Sequence, residues 1–384
     1  MSGLIVHEWV AKAGGSENVV EEFAAVFPTS DLQVLWSDAP DRFTLKTYET
    51  WLARTPLRRS KAAALPFLPS TWRAITAHQD YEWLLVSSHL FAHHVKPRGL
   101  SPDVPKLVYT HTPARYIWEP ELDPRGASRL ARAASAALKP LDRARAQEAT
   151  SIVANSSFTR ARVQRAWQRD AEVIYPPVDT RRIAAVEDWA SQLSDQERAI
   201  LDSLPEVYIL GASRFVAYKR LDQAISAGEA AGVPVVLAGG GPDEQVLRAR
   251  ASEASIPVVF VATPSTALLY ALYQRALVYV FMAIEDFGIM PVEAMAAGTP
   301  SLVPHVGGAA ESVRSVDGGA IIEHGSREEW IGAIDAVGRI DRGALAQRSH
   351  RYSRERFRAE VLDWVTRETG GIQQNSLDPG ELAR

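Results

Sequence analysis

Short apolar runs alternate with helical stretches through most of the chain. In the first half the runs are "GLIVHEW", "LQVLW", "EWLLVSS", "KLVYTH", "SIVANS" and "AEVIYPPVD"; in the second they are "EVYILGAS", "VPVVLAGGG", "IPVVFVAT", "ALVYVFMA" and "TPSLVPHVGG". Unbroken apolar runs ending in Gly, Ser, His or Pro, with helices between them, predict parallel strands buried on both faces of a sheet. The chain therefore reads as α/β, with two doubly wound, Rossmann-like domains, whose ligands would sit beyond the carboxyl ends of the strands. The break follows "YPPVDT", Tyr175 to Thr180, where two prolines stop any helix and the polar stretch "EDWASQLSDQER" precedes the next strand. That places one domain at residues 1–180 and a second at 181–350. The closing stretch "GGIQQNSLDPGELAR" is Gly-rich and polar, which predicts a loose tail at 371–384.

Composition narrows the function. A chain of 384 residues is long enough for two cores, and 46% hydrophobic with 23% charged residues is a globular composition. A net charge of −4 argues against a general nucleic-acid binder, which needs a surplus of cations to displace phosphate counterions. The absence of cysteine excludes disulfides, thiolate metal sites, iron–sulfur clusters and a cysteine nucleophile. No apolar run approaches the ~20 residues that span a bilayer, and "MSGLIVHEWVAKAGG" lacks the basic flank and long apolar core of a signal peptide. A cytoplasmic protein is expected.

The remaining chemistry concentrates at predicted strand ends. "ALVYVFMA" reads as a strand and "IEDFG" as the turn after it. A helix then starts near Pro291, a residue suited to the first helical position, and stops at Gly298. Glu285 falls on the loop and Glu293 in the first helical turn, so both carboxylates can face one ligand, although an acid in a first turn also simply stabilises a helix. "GASRFVAYKRLD" puts Arg214 and Lys219 after a strand, where a diphosphate needs cations. "WVAKAGGSENVVEEF" puts Gly14 and Gly15 in the first strand-to-helix turn, where missing Cβ atoms let backbone amides approach a phosphate. The sequence there is not GxGxxG, and no ribose-binding acid follows at the expected distance. His111 ends the strand of "LVYTHTPARYIWE". The glycine turns "LAGGGPDEQ" and "HVGGAAES" suit ligand contact and tight turns about equally. A metal is not expected: His93 and His94 are adjacent rather than spaced along one helical face, and no Asp-x-Asp occurs.

The turn Gly14-Gly15-Ser16-Glu17, "HTPARYIWE", "RFVAYKR" and the Glu-x7-Glu of "EDFGIMPVE" occur in the order and spacing of retaining glycosyltransferase family 4, whose architecture is GT-B. The likeness extends to "ANSSFTRARV" and "VIYPPVD", so it spans nearly the whole chain. It most resembles the GDP-mannose-dependent mannosyltransferases of surface glycan assembly. The resemblance implies an acceptor-binding first domain and a donor-binding second domain, which face a deep cleft. A crossover helix at 351–370, "YSRERFRAEVLDWVTRE", would return to the first domain. It implies that Arg214 and Lys219 bind the donor diphosphate, that Glu285 takes hydroxyls of the donor sugar, and that amides of Phe287, Gly288 and Ile289 touch sugar and phosphate. Glu293 would accept from the ribose hydroxyls, Gly14 and Gly15 would admit the phosphate, and His111 would contact the donor sugar. The activity implied is metal-independent transfer of a hexose with retention, without a cofactor. The donor is GDP-mannose in the favoured reading and a UDP-sugar in its rival. The acceptor is a hydroxyl of a glycan, a lipid-linked sugar or a small molecule. Ala262 stands where the family commonly has glycine. An epimerase of the same architecture and a non-catalytic nucleotide-sugar-binding scaffold are the alternatives; a scaffold predicts a damaged charge set, whereas Arg214, Lys219, Glu285 and Glu293 are all present.

Residues 41–72, "DRFTLKTYETWLARTPLRRSKAAALPFLPSTW", interleave Arg42, Lys46, Arg54, Arg58, Arg59 and Lys61 with Phe43, Tyr48, Trp51, Leu57, Phe67 and Trp72. Cations beside aromatics suit peripheral contact with the inner membrane surface. The competing expectation is that these aromatics pack as core or line an acceptor pocket.

Overall fold

The computed structural model describes residues 2–12, 14–119 and 129–370; the tail expected at 371–384 lies outside the described residues. The chain divides into two compact units, residues 1–177 with 354–384, and residues 178–353.

The first unit is built on seven parallel strands: β1 (Gly3–Val10), β2 (Asp31–Ser37), β3 (Lys46–Glu49), β4 (Trp83–Ser88), β5 (Lys106–Thr110), β6 (Ser151–Ala154) and β7 (Glu172–Val173). Their order is β3-β2-β1-β4-β5-β6-β7, so the direction of winding reverses between β1 and β4. Alternate residues feed two cores. Leu4, Val6, Leu84 and Val86 face one layer with Trp36, Trp72 and Trp167, while Ile5, Val34, Leu85 and Tyr109 face the other with Phe23 and Trp83. Burial on both faces explains why these strands read as unbroken apolar runs.

The C-terminal helix, Arg354–Glu368, belongs to this unit although six strands of the other unit precede it. The Phe357 ring stacks 5.8 Å from that of Phe23 and meets Tyr109 edge-on at the same distance. Around this apolar contact Arg354 and Arg358 pair with the buried Glu22, Trp364 Nε1 donates to Ser151 Oγ at 2.9 Å, and Arg367 reaches Glu172 at 2.6 Å.

The second unit holds six parallel strands, β8 (Ile209–Arg214), β9 (Val235–Gly240), β10 (Val258–Ala262), β11 (Val278–Val280), β12 (Ser301–Pro304) and β13 (Gly319–Ile322), in the order β10-β9-β8-β11-β12-β13. Winding reverses here between β8 and β11. Ile209, Leu237, Val280 and Leu302 pack with Ile225, Trp330 and Ile334 in its core.

Two strands escape the apolar-run reading, and both are edges. β3 is "KTYE", half-exposed and polar, and β13 is the four-residue "GAII". An edge strand needs only one neighbour, and these two are short and only partly buried, so they leave no long apolar signature.

Phe357→Ala should remove the ring that ties the C-terminal helix to the first unit and leave a cavity. A loss of ~3–5 kcal/mol is expected, measured as a lowered urea midpoint for that unit's unfolding.

Candidate functional site

In a doubly wound sheet, the strands that flank the reversal splay apart at their carboxyl ends and open a crevice. In the second unit those strands are β8 and β11. Arg214 closes β8, Lys219 lies in the single 3-10 turn Ala217–Lys219 beyond it, and Glu285 sits on the loop after β11. Lys219 Nζ pairs directly with the Glu285 carboxylate. Arg214 donates to the Tyr218 hydroxyl at 2.9 Å, and Lys219 lies 5.4 Å from the same ring, so Tyr218 bridges the two cations. Arg214 is exposed, whereas the Lys219 side chain is nearly buried.

The loop that carries Glu285 is held from below. Phe287 is buried against the ring of Tyr352, 5.4 Å away. Gly307 and Gly308 lie against the loop's other side: Gly308 N–H donates to Glu285 O at 2.9 Å, and a Cβ on Gly308 would fall 2.2 Å from Asp286 O. The glycines of "HVGGAAES" therefore serve close packing of two loops.

Gly288 adopts φ +86°, a left-handed conformation open to glycine, and the helix runs Ile289–Ala296. This corrects the expected start near Pro291. The left-handed turn lets the helix begin two residues earlier, and Pro291 still fits because the N–H it lacks would have no partner in a first turn. Glu293 is consequently the fifth helical residue and lies outside the first turn, so helix-dipole stabilisation does not account for it. Its environment is aromatic. Burial pushes the Glu293 carboxyl up to about 7 against a hydrogen bond from Tyr270 that lowers it, and burial, with Glu293 as a lesser contributor, raises Tyr273 and Tyr279.

In the first unit the flanking strands are β1 and β4, and their ends hold a polar cluster that the sequence reading missed. Glu8 Oε1 accepts from the backbone N–H groups of Leu90 (2.8 Å), Ala92 (2.9 Å) and His89 (3.2 Å), and Glu8 Oε2 lies 3.2 Å from His89 Nδ1. Burial alone would raise Glu8; His89, His7 and these N–H groups outweigh it and hold the carboxyl below its ordinary value. His7 Nδ1 lies 3.1 Å from Ser87 Oγ, which in turn lies 2.8 Å from Nε2 of the predicted His111. Burial, with repulsion from His89, lowers His7 to about 4; burial with His89 and His7 takes His111 well below 6.5. A signal was available in "GLIVHEWV": a His and a Glu inside a strand buried at every position must find partners.

Gly14 and Gly15 precede and open the helix Gly15–Val26. The space above Gly14 is taken by Glu17, whose carboxylate a Cβ there would meet at 2.1 Å and which accepts from Ala11 N–H at 3.0 Å. An anion approaching Gly14 would have to displace this carboxylate.

His93 and His94 are brought together after all. In the 3-10 turn Ala92–His94 both rings reach Asp142 Oδ1, at 3.2 and 3.0 Å, while Trp118 and Trp167 donate to Asp142 Oδ2 at 2.8 and 2.7 Å. This group and His7–Glu8–His89 each bring potential metal-ligand atoms within 4.8 Å of one another. Their adjacency does not keep them apart, because Asp142 stands where both rings can turn towards its Oδ1. Burial would raise Asp142, yet His93 and His94 hold it well below the usual carboxylate range. Both carboxylate oxygens are engaged within the protein, which makes this a structural pin.

Of the 41–72 segment, Trp72 is core and Tyr48 stacks on His78 at 3.5 Å. Trp51 and Phe67 stay 48% and 43% exposed. Arg42 pairs with Glu21, Arg58 with Asp38, Lys46 lies 5.0 Å from the Tyr48 ring, and Lys61 covers the Trp9 ring at 4.1 Å, so four of the six predicted cations are engaged locally. Trp51, Thr71 and His78 line a cavity of about 260 Å³ with Gln33 and Glu49. Among the described residues no helix is long and apolar enough to cross a membrane.

Comparison with known proteins agrees with this geometry. The fold resembles that of Anabaena Alr3699/HepE solved in complex with UDP, with a TM-score of 0.69 at 16% identity over 96% of this chain and all of that one. By sequence the chain is 31% identical over 196 residues to the GDP-mannose-dependent alpha-(1-6)-phosphatidylinositol monomannoside mannosyltransferase of Mycobacterium tuberculosis, covering 47% of this chain and 50% of that protein. It is 26% identical over 229 residues to the alpha-1,3/1,6-mannosyltransferase alg-2 of Neurospora crassa, covering 49% and 48%. The matches thus span about half the length of these curated relatives. The model of Glycosyltransferase Family 4 matches residues 13–182 and that of Glycosyl transferases group 1 matches residues 194–356. With one model on each half and two parallel Rossmann-like sheets beneath them, the chain belongs to the family 4 glycosyltransferases of GT-B architecture.

Proposed function

We propose that this chain moves a hexose, mannose in the favoured reading, from a nucleoside diphosphate sugar to an acceptor hydroxyl, with retention and without a metal. The observation that carries the reading is the convergence of Arg214, Lys219 and Glu285 at the carboxyl ends of β8 and β11, with Glu293 on the next helix. Arg214 and Lys219 would hold the diphosphate and offset charge on the departing nucleotide. Glu285 would accept from sugar hydroxyls, the amides of Phe287, Gly288 and Ile289 would meet sugar and phosphate, and Glu293 would accept from the ribose. The sequence relatives named for mannosyl transfer support GDP-mannose; a UDP-sugar is the rival donor. A glycan, a lipid-linked sugar or a small molecule would supply the acceptor hydroxyl. The exposed Trp51 and Phe67 with Arg54 and Arg59 support contact with a membrane surface as part of the same proposal.

A thermal-shift screen against GDP, UDP, ADP and their sugar conjugates tests the donor, because a ligand that binds only the folded state raises apparent stability. Stabilisation by GDP and GDP-mannose is expected; preference for UDP would move the donor to a UDP-sugar, and no response to any nucleotide would sink the reading.

Two further outcomes are expected. Glu285→Gln should lower transfer by roughly a hundredfold or more while leaving nucleotide binding within about threefold, since it removes charge from the sugar side only. Glu293 gives a pH signature. Its folded value of about 7 lies above the ordinary 4.5, so it stabilises the fold most below 4.5 and that contribution is lost as pH rises through 7. A ribose diol prefers the ionised carboxylate, whose share falls from about nine-tenths at pH 8 to about one-tenth at pH 6. Nucleotide affinity by calorimetry should therefore weaken about tenfold between those pH values, and Glu293→Gln should flatten the dependence.

A further inference from the structure

His7, Ser87 and His111 form a hydrogen-bonded row at the carboxyl edge of the first unit's sheet. His7 and Ser87 are register partners on β1 and β4, and the His111 backbone N–H donates to Ser88 O at 2.8 Å, so the sheet fixes the spacing of all three. His7 Nδ1 faces two oxygens of Ser87, Oγ at 3.1 Å and the carbonyl at 3.4 Å. A carbonyl oxygen can only accept, so the nitrogen facing it carries the proton. The other nitrogen points the same way. His7 Nε2 is buried without a partner among the described residues, and a proton there would be a buried N–H with no acceptor.

With the proton on His7 Nδ1, Ser87 Oγ accepts from His7. Its single hydroxyl proton is then free for its other hydrogen bond among the described residues, to His111 Nε2 at 2.8 Å. A neutral imidazole has one donor and one acceptor, so a His111 that accepts at Nε2 carries its proton at Nδ1. Burial beside His89 and His7 keeps His111 neutral.

We propose that Ser87 and His7 are positioning residues that lock His111 in the Nδ1–H tautomer, so that it meets a sugar nucleotide as a hydrogen-bond donor to oxygen and not as a base. This rests on the reading of His111 as a donor contact. It adds an order of dependence, from a buried strand histidine through a hydroxyl to the ring that faces the ligand, in which no proton is exchanged.

Nitrogen-15 NMR of the full chain labelled at histidine tests the tautomer without any ligand, the His111 signals being identified by their loss in His111→Asn. The expected spectrum shows a protonated Nδ1 and an unprotonated, hydrogen-bonded Nε2. Ser87→Ala should lose that pattern and Ser87→Thr, which keeps a hydroxyl, should retain it. Release of GDP from GDP-mannose, with UDP from UDP-glucose in parallel, gives the second readout. Ser87→Ala should lower kcat about tenfold with donor KM within about twofold, and Ser87→Thr should restore it. An unprotonated His111 Nδ1 in the parent chain, or a Ser87→Ala variant unchanged in both signal and turnover, overturns the proposal. If His111→Ala releases nucleotide at the parental rate, the donor-contact reading falls and takes the catalytic consequence with it. The nitrogen signals still decide the tautomer in that case, so the two failures are distinguishable.

Discussion

A carboxylate taken out of water must be given donors or it takes up a proton, and much of this molecule's polar architecture follows from that constraint. Three deeply set carboxyls show the range. Glu8 receives three backbone N–H groups and a histidine, and stays ionised. Asp142 receives two indole N–H groups with His93 and His94 alongside, and stays ionised. Glu293 is surrounded by Tyr270, Tyr273 and Tyr279, and there burial outweighs the hydrogen bonding, so its value rises to about 7. The first two are satisfied by the protein: Glu8 ties a strand to the turn after another, and Asp142 ties a turn to helices. The third is under-supplied with donors, which is the condition under which a ligand's hydroxyls add most.

The same constraint explains which parts were legible in the sequence. Doubly buried strands are mostly apolar, so the central strands announce themselves as apolar runs, and the candidate residues at their carboxyl ends stand out by position: Arg214, Lys219, Glu285 and His111 all lie at or beyond a strand's carboxyl end. Two short edge strands that are only partly buried carry no such signal, which hides "KTYE" and "GAII". Local backbone geometry was legible only in part. Proline at 291 suggested a helix start there, whereas the left-handed Gly288 sets it earlier. Pairing across the sheet was not legible at all, because nothing in "GLIVHEWV" states that Ser87 will stand opposite His7. Nor does adjacency reveal that His93 and His94 share an acceptor, since Asp142 stands far along the chain and only the fold brings it to both rings.

The second unit's charges are arranged so that a ligand must exchange partners rather than find them free. Lys219 and Glu285 are paired with each other, which keeps a nearly buried cation and a partly buried anion satisfied before anything binds. On the proposed reading, a phosphate that draws Lys219 away leaves Glu285 in need of donors, which the hydroxyls of the attached sugar would supply. A nucleotide diphosphate alone thus opens the pair and compensates one side, while the sugar nucleotide compensates both. On that reading, discrimination between substrate and departing product would arise from the pair itself, because a partly buried carboxylate is costly to leave unpaired. A salt bridge of this kind contributes little net stability to the fold, so its place at the carboxyl ends of β8 and β11 is better explained by what replaces it than by what it holds together.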